Sequence, residues 1–104
     1  MFISREGNLV TLINVFETEP EKQQELINQW IRFVQEVKDE PGLIGAALHR
    51  STGGTRVINY AQWESQEAFQ AMLRDPTVRP LLIELAEIAG TEPLLCEVVS
   101  VHHA

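Results

Sequence analysis

Four side chains of this 104-residue sequence are able to hydrogen-bond a small molecule from one shared surface: Asn14, His49, Asn59 and Trp63. Asn59 and Trp63 belong to "RVINYAQWES" (residues 56–65), whose β-branched and aromatic content predicts a strand. Strand side chains alternate, so Val57, Asn59, Ala61 and Trp63 share one face while Ile58, Tyr60 and Gln62 share the other. An amide between Val and Ala on a core-facing surface costs free energy unless something bonds it. By the same alternation Asn14 falls between Leu12 and Phe16 on an earlier strand, and His49 lies beyond Gly45 and Ala47 on another. The small Gly45, Ala47 and Ala61 leave volume that Leu or Val would fill, and Phe16, Phe69 and Met72 supply apolar lining. An apolar cavity with a few placed polar groups is the usual form of a small-molecule site.

Each residue taken singly has a plainer reading. A strand Asn satisfies a bulge or an edge, a Trp anchors a small core, and a His near a strand end is solvated. Their predicted common face is what favours a site. His102 and His103 read as tail residues, since no other ligand of metal-binding spacing accompanies them. Tyr60 has the wrong parity for the pocket and goes to the opposite face.

The elements that must position these residues follow from pattern. "LVTLINVFE" (residues 9–17) predicts a first strand, and "TEPE" after it a capping box of Thr18 with Glu21. Leu26, Ile27, Trp30, Ile31, Phe33, Val34 and Val37 recur at helical spacing over 20–39. Pro41 and Gly42 end that helix, Gly42 in a left-handed turn. "LIGAALHRS" and "TRVINYAQWE" flank Thr52-Gly53-Gly54 and predict an antiparallel hairpin. Ser65 caps a second helix carrying Ala68, Phe69, Met72 and Leu73, which Asp75-Pro76 breaks and restarts through Leu81, Leu82, Leu85, Ile88 and Ala89 as far as Gly90. "LLCEVVSVH" (94–102) predicts the last strand. The order βαββαβ predicts an α+β, ferredoxin-like fold: a four-stranded antiparallel sheet with two helices on one face.

Helices on one face leave the other uncovered. A regular pleat places Ile13, Val15, Ile44, Ala46, Leu48, Ile58 and Tyr60 there, and a second copy packed sheet to sheet buries them, so a symmetric homodimer is expected.

Composition narrows the classes. The length and the 44% hydrophobic content predict one domain over 1–104. A net charge of −7 spread along the chain disfavours a nucleic-acid partner. The single Cys96 rules out an intrachain disulfide and, with no second thiol, offers no zinc or iron–sulfur set. "MFISREGNLV" has no signal-peptide core and no run reaches membrane-spanning length, so a soluble, cytoplasmic protein with no membrane partner is expected. Phosphate-loop, nucleophile-elbow and HExxH motifs are absent from the sequence.

The run "LHRSTGGTRVINYAQWESQEAF" (48–69), with "PGL" before it and "EVVSVH" near the end, resembles the antibiotic biosynthesis monooxygenase family of dimeric α/β-barrel proteins. The resemblance implies a homodimer whose two sheets meet, with one pocket per subunit. It implies oxidation of a small anthrone- or hydroquinone-like aromatic to a quinone by molecular oxygen, with neither metal nor flavin as cofactor. Carried over residue by residue, the family's polar pocket residues match His49, Asn59 and Trp63. The expected roles are indole donor for Trp63, orientation of the substrate oxygen for Asn59, and proton transfer for His49. Asn14, Phe16, Gly45, Ala47, Ala61, Phe69 and Met72 are expected to contact substrate. Phe69 stands where anthrone oxygenases can carry a pocket tyrosine, which motivates an alternative: a non-catalytic small-molecule-binding or stress-response dimer on the same scaffold. A haem-degrading branch uses a strand-one Asn, the strand-three Trp and a helix-two His. Asn14 and Trp63 fit it, but "PTVRPLLIELAEIAG" holds no His to bind iron.

Overall fold

The computed structural model of the chain describes residues 9–103. β1 (Val10–Glu17) leads through a 3-10 turn at Pro20–Lys22 into α1 (Gln23–Val37). The capping box does not form. Pro20, with its fixed φ and missing N–H, opens the helical segment, Glu19 holds the extended cap position without a side-chain bond, and Thr18 Oγ1 is buried with no partner among the described residues. α1 buries Leu26, Ile27, Trp30, Phe33 and Val37 along one stripe. Gln23 fixes its start to the sheet by donating from Nε2 to the Arg56 carbonyl at 2.9 Å.

Gly42 takes φ +91° after α1, as the Pro-Gly pair predicts. A Cβ there would also stand 2.5 Å from the Ala68 Cβ, so the position excludes side chains on two grounds. β2 (Leu43–Arg50) and β3 (Arg56–Trp63) follow as an antiparallel hairpin. Its turn is closed by Ser51, whose N–H reaches the Arg56 carbonyl at 3.0 Å and whose Oγ accepts from Arg56 N at 2.9 Å.

The register of this hairpin departs from the sequence expectation. Leu48 pairs with Asn59, Ala46 with Ala61 and, beyond an irregularity between Leu43 and Gly45, Leu43 with Trp63. Cross-strand partners share a face, so Leu43, Ala46 and Leu48 join the core side. Gly45, Ala47 and His49, partners of Gln62, Tyr60 and Ile58, lie on the other. The expected assignment of β2 is therefore inverted for the whole run 45–49. Alternation within one strand gives its two faces; only the turn decides which is which.

Ser65 caps α2 (Gln66–Leu73), its Oγ accepting from Ala68 N at 3.1 Å. The break at Asp75-Pro76 is complete, and a separate α3 (Arg79–Ile88) follows with Pro80 in its first turn. In place of two helices there are three. β4 runs over Gly90–Cys96, not 94–102. It pairs with β1 from Glu17↔Gly90 to Thr11↔Cys96. Pro93 sits inside it because β4 is an edge strand in the order β2-β3-β1-β4, which tolerates a residue without an N–H. The result is the α+β ferredoxin-like fold, with an antiparallel sheet and three helices. Leu12, Phe16, Val57, Ala61 and Trp63 form the sheet's side of the core, and Leu26, Trp30, Phe33, Phe69, Met72 and Leu85 the helices' side.

Candidate active site

Sheet and helices do not close completely on one another. Between them lies a cavity of about 370 Å³, a size that holds a small organic molecule. β1 contributes Leu12, Asn14 and Phe16, and β3 contributes Asn59, Ala61 and Trp63. Trp30 and Phe33 come from α1, Phe69 and Met72 from α2, and Leu82 and Leu85 from α3. Among its lining residues, Ala46, Ala86, Thr91, Pro93 and Leu95 are exposed. Among the described lining residues none is an ionisable Asp, Glu, His, Lys, Arg, Cys or Tyr.

Polar atoms in this apolar wall are few and unevenly matched. Asn14 Oδ1 accepts from Thr91 Oγ1, a tie between β1 and β4. Asn59 is 5% exposed, and its Oδ1 has no partner among the described residues. The same holds for the indole Nε1 of Trp63 and of Trp30, each side chain 2% exposed. A buried polar atom left unbonded costs about 1–3 kcal/mol. All three residues line the cavity, and these buried atoms lack the partner such groups usually have. The rings are held in place: Trp63 meets Phe69 edge-on at 5.8 Å, and Trp30 meets Phe16 at 5.2 Å and Phe33 at 4.6 Å.

Of the residues singled out from sequence, Asn14, Phe16, Asn59, Ala61, Trp63, Phe69 and Met72 are brought together around the cavity. Gly45, Ala47 and His49 are not. His49 is exposed on the far face of the sheet opposite Ile58, so it has no access to a cavity occupant. Ala46 takes the place expected of Gly45 and Ala47. Two polar cavity residues escape the sequence reading. Trp30 is indistinguishable by spacing from an ordinary core position of α1. Thr91 lies in a segment read as the helix-to-strand connection, and a strand begun at Gly90 places it opposite Phe16.

Beyond the cavity, the turns after α1 and after α2 meet through two carboxyl groups. A hydrogen bond to Asp75 raises the Glu40 carboxyl above its ordinary range, with partial desolvation and repulsion from Asp75 adding to it. The bond from Glu40 lowers Asp75, and the Thr77 N–H and hydroxyl, at 2.9 and 2.8 Å, lower it further.

The sequence model of the family described as antibiotic biosynthesis monooxygenase matches residues 9–80. The chain is 38% identical over 97 residues to the tetracenomycin-F1 monooxygenase of Streptomyces glaucescens, spanning 92% of this chain and 87% of that one. Its structure is similar to that of a monooxygenase from the gene ActVA-Orf6 of Streptomyces coelicolor, solved in complex with nanaomycin D. The TM-score is 0.80 at 28% identity, over 93% of this chain and 92% of that one. A mutant of SnoaB, a cofactor-independent oxygenase from Streptomyces nogalater, gives a TM-score of 0.85 over 91% and 97% of the two chains. At 21% identity that likeness is one of fold.

Proposed function

Because this chain belongs to the antibiotic biosynthesis monooxygenase family, we propose that its cavity oxidises a small anthrone- or hydroquinone-like aromatic to a quinone with molecular oxygen. The observation that carries the reading is the pair of unpartnered polar atoms on β3, Asn59 Oδ1 and Trp63 Nε1, in a wall that is mostly apolar. Ground-state oxygen is a triplet and reacts with an electron donor one electron at a time. An anthrone becomes such a donor when it loses its acidic C–H proton and spreads the negative charge onto its oxygen. The Trp63 N–H suits that oxyanion, and the Asn59 oxygen suits a neighbouring phenolic O–H.

One electron then passes from the carbanion to oxygen. The resulting radical and superoxide combine to form a C–O bond, and a proton completes the hydroperoxide. Loss of water, with cleavage of the O–O bond and departure of the remaining hydrogen on that carbon, leaves the second carbonyl. The apolar walls serve this sequence by keeping water away from the peroxide. With His49 on the far face and no ionisable side chain among the described lining residues, this reading assigns no general base to the wall. The substrate's own acidity, strengthened by hydrogen bonding to its anion, then sets the pH at which turnover begins.

The same reading includes a homodimer. Ile13, Val15, Ile58 and Tyr60 are only half-buried on the sheet face away from the helices, and Leu94 is 50% exposed there. A second copy packed sheet to sheet removes that apolar surface from water.

Oxygen uptake with an anthrone in chelator-treated buffer tests the chemistry. The expected result is one oxygen consumed per quinone formed, with kcat/KM rising with pH through the ionisation of the substrate. Tight binding of the anthrone with no oxygen uptake is the result that identifies a binding protein instead.

A further inference from the structure

We infer that the cavity is entered between α3 and β4, and that Ala86 sets the width of this entrance and with it the size of ring system admitted. Cover over the helix-facing side of the sheet increases inward from β4 along every row of the ladders. Leu95 is exposed, and inward of it Leu12 and Ala61 are buried. Pro93 is exposed, Asn14 half-buried and Asn59 buried. Thr91 is exposed, and Phe16 and Val57 behind it are buried. The opposite edge of the sheet is better covered: on β2 the helix-facing Leu43 and Leu48 are half-buried, and Ala46 alone of the three is exposed. The lining side of α3 is graded like β4, with Leu85 buried, Leu82 half-buried and Ala86 exposed. Trp63, Phe69 and Met72, which line the cavity from β3 and α2, are all buried.

The two sides of such an entrance differ in what fixes them. On β4 the backbone is paired to β1, which holds Thr91, Pro93 and Leu95 in place. On α3 the width depends on side-chain size, and position 86 carries the smallest of the three lining side chains. These rim residues are uncharged, so a neutral fused aromatic passes them without stripping water from an ion. Asn59 stands two strands in from Pro93, about 10 Å at the usual strand spacing, so a ligand must clear the rim completely to reach it. The assignment rests on the reading of the cavity as the substrate site and adds to it a limit on ring size at the rim.

Both tryptophans of the chain line the cavity, so stopped-flow quenching of their fluorescence by 9,10-anthraquinone reports entry and release on the intact protein. In Ala86→Phe the association and dissociation rate constants are expected to fall together, each about tenfold, while the dissociation constant changes less than about threefold. Leu95→Ala widens the same entrance from β4 and should raise both rate constants, which decides the matter if Ala86→Phe does not fold. A change in the dissociation rate alone would make Ala86 a contact of the bound ligand, and unchanged rates would put the entrance elsewhere; either overturns the assignment. Slowing in Ala46→Phe with none in Ala86→Phe also overturns it, by moving the entrance to β2. In each of these cases the unmodified protein still binds, and the oxygenase reading stands. An unmodified protein that takes up no anthraquinone removes the cavity reading and its entrance together, before any variant is made.

Discussion

Asn14 and Asn59 face one another across the β1–β3 ladder, yet only one of the two carboxamide oxygens is engaged within the described chain. Asn14 Oδ1 accepts from Thr91 and so fastens β1 to the edge strand, while Asn59 Oδ1 is buried and unbonded. Two identical side chains, one pleat apart from nothing but each other, thus have different work. Asn14→Ala is expected to lower stability by about 1 kcal/mol, the loss of one hydrogen bond at a partly solvated site. Asn59→Ala is expected to leave stability within about 1 kcal/mol and to lower turnover by roughly tenfold or more. Thermal unfolding and oxygen uptake on the two variants check the contrast, and the reverse order sinks it.

Trp63→Phe keeps the edge-on contact with Phe69 and removes the N–H. Turnover should drop roughly tenfold to a thousandfold, the range for one lost donor to a developing oxyanion, with KM changed much less. A large fall in melting temperature with near-normal turnover would instead make the indole a scaffold element.

His49→Ala is expected to leave turnover within about twofold of the parent, because the imidazole lies across the sheet from the cavity. Steady-state oxidation measures it directly. A loss of a hundredfold would mean that His49 reaches the substrate by a route the fold does not provide.

Ile58→Glu is expected to shift the sedimentation coefficient toward that of a monomer at micromolar concentration, since it places a charge on the half-buried outer face. An unchanged assembly would move the interface elsewhere.

The Glu40–Asp75 pair gives a pH test. The Glu40 carboxyl is raised, so what it adds to stability is present below its unfolded pKa and is lost as pH rises through the folded value. Asp75 is lowered, so its contribution is present above its unfolded pKa and is lost as pH falls through the folded value. Glu40→Gln keeps a donor for Asp75 at every pH. Its melting temperature should therefore gain on the parent's as pH rises from about 4 to about 7, through the carboxylate range. A constant difference across that window would show that the two groups do not share a proton.

Most of the fold was legible because β1, α1, β2 and β3 announce themselves locally, whereas the split of the second helix and the bounds of β4 did not. The stripe of Leu26, Trp30, Phe33 and Val37 is a helix on spacing alone, and the Gly42 turn and Ser65 cap form as their residue types suggest. The cavity was legible on β1 and β3, where Asn14, Asn59 and Trp63 break an apolar alternation and the ladder puts Asn14 opposite Asn59. What escaped depends on relations between strands. His49 was misplaced because no periodicity within β2 says how it registers against β3. Thr91 was missed because Pro93 makes an edge strand look like a loop. Trp30 was missed because a buried indole with a satisfied N–H and one without have the same sequence.

The hairpin register has an evolutionary corollary. Ser51 and Arg56 clamp a turn whose length keeps Ala46 and Leu48 facing the helices and Gly45, Ala47 and His49 facing away. Removing one residue between them, with the shortening carried into the ladder, exchanges the two sets in a single step. The helix-facing side of β2 then gains an imidazole and a glycine and loses a leucine, with no codon in β2 altered. Loop length in this scaffold is thus a mutational shortcut: an indel in "STGGT" rewrites more of the binding surface than any point substitution, and relatives of different turn length are expected to differ in chemistry more than their strand sequences suggest.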